Sequence, residues 1–301
     1  MIELREVKMV LAAKPVIEGA GVHLKRVFGS AQVPHFDPFL MLDDFHSDNP
    51  AHYLKGFPWH PHRGIETITY VLQGIVEHGD SMGNSGGISS GDVQWMTAGS
   101  GIIHQEMPKG DEMKRMWGFQ LWANLPASQK MMDPRYREVK SEEIPEILME
   151  TGIKVKIIAG EVNGVRGPVR DIVIDPTYAD VAVPASSTFT HAVQKGHTVF
   201  IYVIEGQGNF NGGTGTSGLE YRNVGAEQTS VGSEHLVLYG DGEAVRVTTG
   251  ELPVRFLLVS GKPIGEPVAW RGPIVMNTQD ELEIAFDEYQ KGTFVKHKPA
   301  G

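Results

Sequence analysis

The 301-residue chain contains no cysteine, which excludes disulfides, thiolate metal sites and cysteine nucleophiles. A cysteine-free sequence agrees with a reducing compartment. Long apolar runs are also missing. None approaches the roughly 18 residues that a membrane span needs. The first fifteen residues, MIELREVKMVLAAKP, have no apolar stretch preceded by basic residues, so no secretory leader is expected. Basic charge is scarce, with 27 Lys and Arg against 37 Asp and Glu and a formal net charge of −10. Such a surface repels phosphate backbones. The densest basic stretch, Lys109, Lys114 and Arg115, is interleaved with Asp111 and Glu112, so direct nucleic-acid binding is not expected. No Gly-x-Ser-x-Gly elbow supports a hydrolase triad. The glycine-rich NGGTGTSG has no lysine where a phosphate loop requires one. These absences together predict a cytoplasmic protein with no membrane or nucleic-acid partner, and nothing in the sequence calls for more than a monomer.

What the chain does have is 36 glycines, 18 prolines and 41% hydrophobic residues. The apolar residues fall in short period-two bursts: ETITYVLQGIVEH, GDVQWMTAGSG, KVKIIAGEV, TVFIYVIEGQGNF, HLVLYGDG and VRFLLVSG. Turn signals separate them every 8 to 12 residues, the spacing of a sandwich or barrel. The fold class is therefore all-β with a few short helices. SEEIPEILME reads as a short helix with Ser141 as its N-cap. TQDELEIAFDEYQKG reads as a better one, capped by Thr278 and stopped by Gly292. An internal repeat matches Tyr70-Val71-Leu72-Gln73-Gly74 to Tyr202-Val203-Ile204-Glu205-Gly206. Two related β-domains follow, with residues 1–140 carrying the chemistry, 141–275 forming the second domain, and 276–301 a C-terminal helix and tail packing on the barrels.

The chemistry concentrates in two short segments. His60 and His62 stand at i and i+2, so they share one face of a strand. Glu66 has the same parity and is expected to point inward too. Forty-two residues after His62 come His104 and Glu106, again at i and i+2. Two strands, each offering a pair of ligands, can assemble four donors at one point. Three imidazoles and a carboxylate include no soft sulfur, so Fe(II), Mn, Co, Ni, Cu and Zn all stay open. Structural zinc sites more often use cysteine and are closed. A lone strand histidine is usually a hydrogen-bonded structural residue, but two such pairs beside glycine turns are harder to dismiss. The repeat offers an internal control. His60 and His62 fall on Ala192 and Gln194, and His104 and Glu106 on Val247 and Thr249, so the second domain reads as metal-free. His78 reads either as a pocket residue or as an exposed strand-end histidine, the second being the commoner case. His191, His197 and His235 have no ligand spacing. Ile65, Ile68, Met96, Ile103 and Met107 are the expected apolar liners of the site.

HPHRGIETITYVLQG, followed by SGGISSGDVQWMTAGSGIIHQEMP, resembles the pirin signature within the cupin superfamily. HFDPFLMLDDF upstream and GPIVMNTQDELEIAFDEYQKGTF near the end are similar to pirins as well. The resemblance implies a bicupin fold of two jelly-roll barrels, iron held by His60, His62, His104 and Glu106, and a metal-free C-terminal domain. The chain departs from the general cupin pattern in two ways. Four residues separate Thr97-Ala98-Gly99 from His104, where ordinary cupins bring the histidine sooner. Ordinary cupins also draw the carboxylate from the first motif, which here would be Glu66, whereas pirins use the one after the second histidine, Glu106. Glu66 is then expected beside the site. Two roles are implied. One is a quercetin 2,3-dioxygenase, which takes a flavonol and O2 and uses Glu106 as the catalytic base. The other is an iron-dependent regulatory protein that binds a protein partner.

Overall fold

In the computed structural model, which describes residues 2–149, 151–210 and 230–297, the period-two runs are strands. They form two compact units. One comprises Lys14–Ser141 with Ile264–Gly301, the other Met1–Ala13 with Glu142–Pro263. Each is built on a seven-strand antiparallel path, and six strands of the two paths share one order, while the outermost strand follows the others in the chain in the first unit and precedes them in the second. In the first unit the order is Arg135–Val139, Val93–Thr97, Ile65–Gln73, Met116–Asn124, Phe39–Ser47, Val22–Phe28, Lys14–Glu18. In the second it is Val7–Ala12, His235–Tyr239, Thr198–Phe210, Val254–Gly261, Thr177–Val183, Lys154–Ala159, Glu146–Leu148. The first unit adds a four-stranded sheet ordered Phe57–His62, Ile102–Lys109, Ile75–Asp80, Ser85–Ser89.

The repeat seen in the sequence occupies equivalent central strands. Gly74 and Gly206 end the matched pentapeptides with φ of +91° and +75°, a backbone region that a residue with a Cβ enters only at a cost. The domain boundaries differ from those expected. Residues Val7–Ala12 pair with His235–Tyr239, from Val7↔Tyr239 to Ala12↔His235, and so belong to the second unit. The terminal segment that joins the first unit begins at Ile264 rather than at 276. Neither assignment has a local signal, because an edge strand reads the same whichever sheet it joins.

The helix expected at SEEIPEILME is a single 3-10 turn, Ser141–Glu143, followed by the strand Glu146–Leu148. Pro145 lies between them, and its ring disfavours helical backbone in the residue before it. The second helix forms over Gln279–Gln290 with the full capping box. Thr278 accepts from the Glu281 amide, and Glu281 reaches back to the Thr278 amide. Its buried Leu282 and Ala285 pack with Ile274, Met276 and Phe294.

NGGTGTSG, residues 211–218, lies outside the described residues. The interior of the second unit is filled by an apolar cluster that includes Phe189, Phe210, Val247 and Phe256.

Candidate metal centre

His60 and His62 face one side of the strand Phe57–His62, and His104 and Glu106 face the same space from Ile102–Lys109. The ladder places His104 opposite His60 and Ile102 opposite His62. An irregularity between His104 and Glu106 moves Glu106 opposite Phe57. The result is a tight group of nitrogens. His60 Nε2 lies 3.0 Å from His62 Nε2 and 2.9 Å from His104 Nε2. Among the described residues, these three histidines form the one group of ligand atoms close enough to share an ion. The Glu106 carboxylate stands just outside it, its Oε2 4.0 Å from His104 Nε2.

The tautomers follow from the partners. His60 Nδ1 donates to the Pro58 carbonyl at 2.9 Å, and His62 Nδ1 donates to the Pro273 carbonyl at 3.0 Å. A carbonyl can only accept, so both Nε2 atoms of the neutral rings carry lone pairs. Those lone pairs face each other at hydrogen-bond distance with no proton between them. Burial, followed by the neighbouring imidazoles, holds His62 and His104 well below the ordinary histidine range, so a proton on either of these two is a poor remedy. A divalent cation at the meeting point resolves the conflict. The donor set therefore fits a metal, and the outer carbonyl hydrogen bonds are the kind that orient metal-ligating histidines.

Glu106 is held by a neighbour the sequence did not single out. Thr69 Oγ1 lies 3.0 Å from Glu106 Oε1 and 2.5 Å from Gln120 Oε1. One hydroxyl has one proton, so it cannot donate to both. Turning the Gln120 amide so that its NH2 donates to Thr69 leaves Thr69 to donate to Glu106. The centre lies in the wall of a cavity of about 580 Å³. Leu24, Met41, Phe45, Val76, Trp122 and Trp270 supply its apolar lining, and Glu18, Arg26, Asp43, Thr69 and Gln120 its polar one. Arg26 grips Asp43 with two parallel bonds of 2.9 and 2.8 Å, and its Nη1 reaches Glu18 at 2.8 Å. Burial raises Asp43 to about 6 in spite of that grip.

Several expected site residues lie elsewhere. Glu66 does not face the metal centre. Its Oε1 accepts from Thr97 Oγ1 at 2.6 Å, and burial raises its pKa. Strand parity did not carry from His62 to Glu66 because Arg63 and Gly64 break the strand, Gly64 with φ +79°. Thr69, of opposite parity, faces the cavity instead. Met107 and Ile103 alternate with the inward row 102, 104, 106 and so point away. Met107 packs at Gly56, and Ile103 packs against the cluster around Leu282. Ile65 and Met96 sit in a separate apolar cluster with Leu40 and Ile102, and Ile68 is buried away from the cavity lining.

His78 is buried, which corrects the exposed reading. It stands beside His104 with ring centroids 5.5 Å apart, stacks on Tyr136 at 4.9 Å and bonds Asp80 at 3.2 Å. It lies behind His104 rather than in the cavity wall.

The histidine count of the second unit needs a correction too. Its ladder pairs Phe189 with Val247 and His191 with Val245. Laid on the pairs His60–His104 and His62–Ile102, this puts His191, not Gln194, in the place of His62. The connection after Thr188–Ala192 has five residues where that after Phe57–His62 has two, so a constant offset slips by three. His191 stacks on Phe189 at 6.2 Å, and burial lowers its pKa.

The C-terminal segment completes the centre. Besides the Pro273 carbonyl, it brings Trp270 and Gly272 to the cavity wall. It is pinned by two buried cations. Lys130 Nζ donates to Gly64 O, Asn124 Oδ1 and Val275 O at 2.9, 2.6 and 3.1 Å, and burial lowers its pKa to about 8. Arg63 bonds the carbonyls of Ser100 and Phe294 and pairs with Glu288 at 2.8 Å. No sequence pattern points to Pro273, because the contact is 211 residues long. Thr69 had one faint signal, a hydroxyl in the middle of a fully buried strand.

The chain is similar to known proteins in sequence and in fold. Residues 21–123 match the Pirin family, and residues 178–295 match the Pirin C-terminal cupin domain. A pirin-like protein of Caulobacter vibrioides is 42% identical over 292 residues, covering 97% of this chain and 99% of its own length. A Thermoplasma acidophilum protein that carries a provisional quercetin 2,3-dioxygenase name is 42% identical over 271 residues, covering 84% and 98%. The crystal structure of quercetin 2,3-dioxygenase from Acinetobacter baumannii superposes with a TM-score of 0.84 at 29% identity, covering 97% of this chain and 98% of that one. The nickel(II) complex of Escherichia coli pirin YhhW, at 19% identity and a TM-score of 0.64, shares the fold and covers 85% and 98%.

Proposed function

From the chain's membership of the pirin family, with two cupin domains, we propose that it is an iron-dependent dioxygenase acting on a flavonol such as quercetin, with Glu106 as fourth ligand and base. The observation that carries this reading is the convergence of three imidazole nitrogens, two of them, those of His60 and His62, fixed as acceptors by carbonyl partners, and both residues line a cavity large enough for a small aromatic ligand. The quercetin dioxygenase fold of the Acinetobacter relative supports the choice of substrate class. Iron held by His60, His62, His104 and Glu106 would supply Lewis-acid and redox chemistry there.

The residues do the rest. Trp122, Trp270 and Phe45 offer flat apolar walls for the rings. Glu106 accepts the proton of the 3-hydroxyl. The Thr69 hydroxyl keeps the Glu106 carboxylate aimed at that proton, and Gln120 keeps Thr69 in turn. O2 adds across C2 and C4, the C2–C3 and C3–C4 bonds break, and C3 leaves with its own oxygen as carbon monoxide, so that both atoms of O2 stay in the ring-opened ester.

The test is the loss of the flavonol's long-wavelength absorbance with iron-loaded and metal-free protein, and with Glu106→Gln. Loss with the iron-loaded wild type alone supports the reading. Glu106→Gln should keep part of its metal and lose turnover, and an unchanged rate would remove Glu106 as the base. Tight capture of a protein partner with no metal-dependent loss of quercetin would favour the regulatory role instead.

A further inference from the structure

The polar groups of the cavity are not scattered. Thr69, Gln120, Asp43 and Arg26 stand opposite one another on four successive strands, in the pairs Thr69↔Gln120, Gln120↔Asp43 and Asp43↔Arg26. All four line the cavity, as do Glu106 at one end and Glu18 at the other. With neighbouring strands about 4.8 Å apart, the row from Thr69 to Arg26 runs roughly 14 Å. It is a polar ladder in an otherwise largely apolar cavity, starting at the metal centre and ending at the partly exposed Glu18.

Its charge is informative. Arg26 spends its Nε and Nη2 on Asp43 and its Nη1 on Glu18, so one guanidinium answers two carboxylates. The far end of the row therefore carries a surplus negative charge in a partly desolvated wall, where Coulomb terms are strong. Asp43 is nearly fully buried, yet it gives only two of about four acceptor positions to Arg26. Two of the five N–H donors of Arg26 stay open, but its single positive charge already answers two carboxylates, so it has no net charge left to draw in a ligand carboxylate or sulfate. The remaining acceptors suit hydroxyl donors.

Resting on the dioxygenase reading above, we propose that Asp43, held by Arg26 with Glu18 on that arginine's other side, is the specificity determinant of this cavity, selecting a flat, uncharged aromatic ligand that carries hydroxyl donors on the ring remote from the metal centre. The ligand lies with its hydroxylated edge along the row and its faces against Trp122 and Trp270. Anionic conjugates of the same ring are turned away.

The test is quenching of tryptophan fluorescence in iron-loaded protein under nitrogen, which reads binding without turnover. The probes are galangin, kaempferol and quercetin, with no, one and two hydroxyls on the remote ring, a flavonol sulfated on that ring, and two simple arenes, catechol with two hydroxyls and anisole with none. The wild type should bind quercetin about tenfold more tightly than galangin and reject the sulfate. Asp43→Asn should bring quercetin and galangin within about threefold. Glu18→Gln, at the exposed end where folding is not at stake, should improve binding of the sulfated probe several-fold. Equal binding of quercetin and galangin by the wild type, discrimination that survives Asp43→Asn, or no relief for the sulfate in Glu18→Gln overturns the proposal. A protein that consumes quercetin but binds galangin as tightly loses the ladder and keeps the dioxygenase reading. A protein that ignores flavonols but prefers catechol to anisole keeps the ladder and loses that reading. Binding of no probe at all overturns the ladder.

Discussion

Thr69 donates its hydroxyl proton to Glu106 across 3.0 Å, from the strand Ile65–Gln73 of one sheet to the strand Ile102–Lys109 of another. The bond joins the wall of the barrel to the carboxylate beside the three imidazoles. A hydrogen bond to a buried carboxylate contributes about 1.5–3 kcal/mol. Thr69→Val keeps the shape of the side chain and deletes the bond. Metal content should stay near that of the wild type, while the rate of flavonol loss falls by roughly 10- to 100-fold, the usual cost of removing an outer hydrogen bond at a metal site. Parallel metal analysis and kinetics check this. A full rate in Thr69→Val would show that Glu106 needs no such support.

The opposed Nε2 lone pairs predict a metal-linked gain in stability. At a free metal concentration about a thousand times the dissociation constant, binding stabilises the folded unit by about 4 kcal/mol. That raises its melting temperature by on the order of 10 °C. A chelator should remove the gain, and His62→Ala should never show it. Thermal scans of wild type and variant, each with and without metal, provide the measurement.

Lys130 gives the chain a pH-dependent component. Its folded pKa is about 8, while an unfolded lysine holds its proton to about 10.4. Between those values unfolding takes up a proton, so stability rises with pH across that window and the lysine adds no slope below it. The rise is at most about 3 kcal/mol. Lys130→Met should abolish this rise. Urea titrations of both proteins at pH 7.5 and 10 measure it, and an identical pH dependence in the two would contradict it.

Gly64 is the point where the ligand strand turns and the C-terminal segment docks. A Cβ there would lie 2.0 Å from the Val275 carbonyl oxygen, on a backbone with φ +79°. Gly64→Ala should therefore cost roughly 2–4 kcal/mol. It should also loosen the metal, because the same docking brings the Pro273 carbonyl to His62. A chelator competition assay and a denaturation curve report the two effects separately.

Much of this was legible before any coordinates. Period-two patterning named the strands, and the i, i+2 pairs named His60, His62, His104 and Glu106, because both signals are local. The pentapeptide repeat found the two central strands for the same reason. Legibility stopped where the chain leaves a strand. Gly64 resets the parity, so Glu66 was assigned inward when Thr69 holds that place. A longer connection in the second unit hid His191 as the counterpart of His62. The burial of His78 depends on Tyr136 and Asp80 closing over it. The pairing of Val7–Ala12 with His235–Tyr239 and the contact of Pro273 with His62 each span more than 200 residues, and no window of sequence contains them.

Elemental mass spectrometry of protein purified without chelators, then incubated with Fe(II) under nitrogen and desalted, tests the account most directly. The wild type should hold close to one metal ion per chain, and a His60→Ala, His104→Ala double variant that keeps its fold should hold close to none. A wild type that stays metal-free, or a double variant that retains a full equivalent, would contradict the assignment of this cluster as the metal centre.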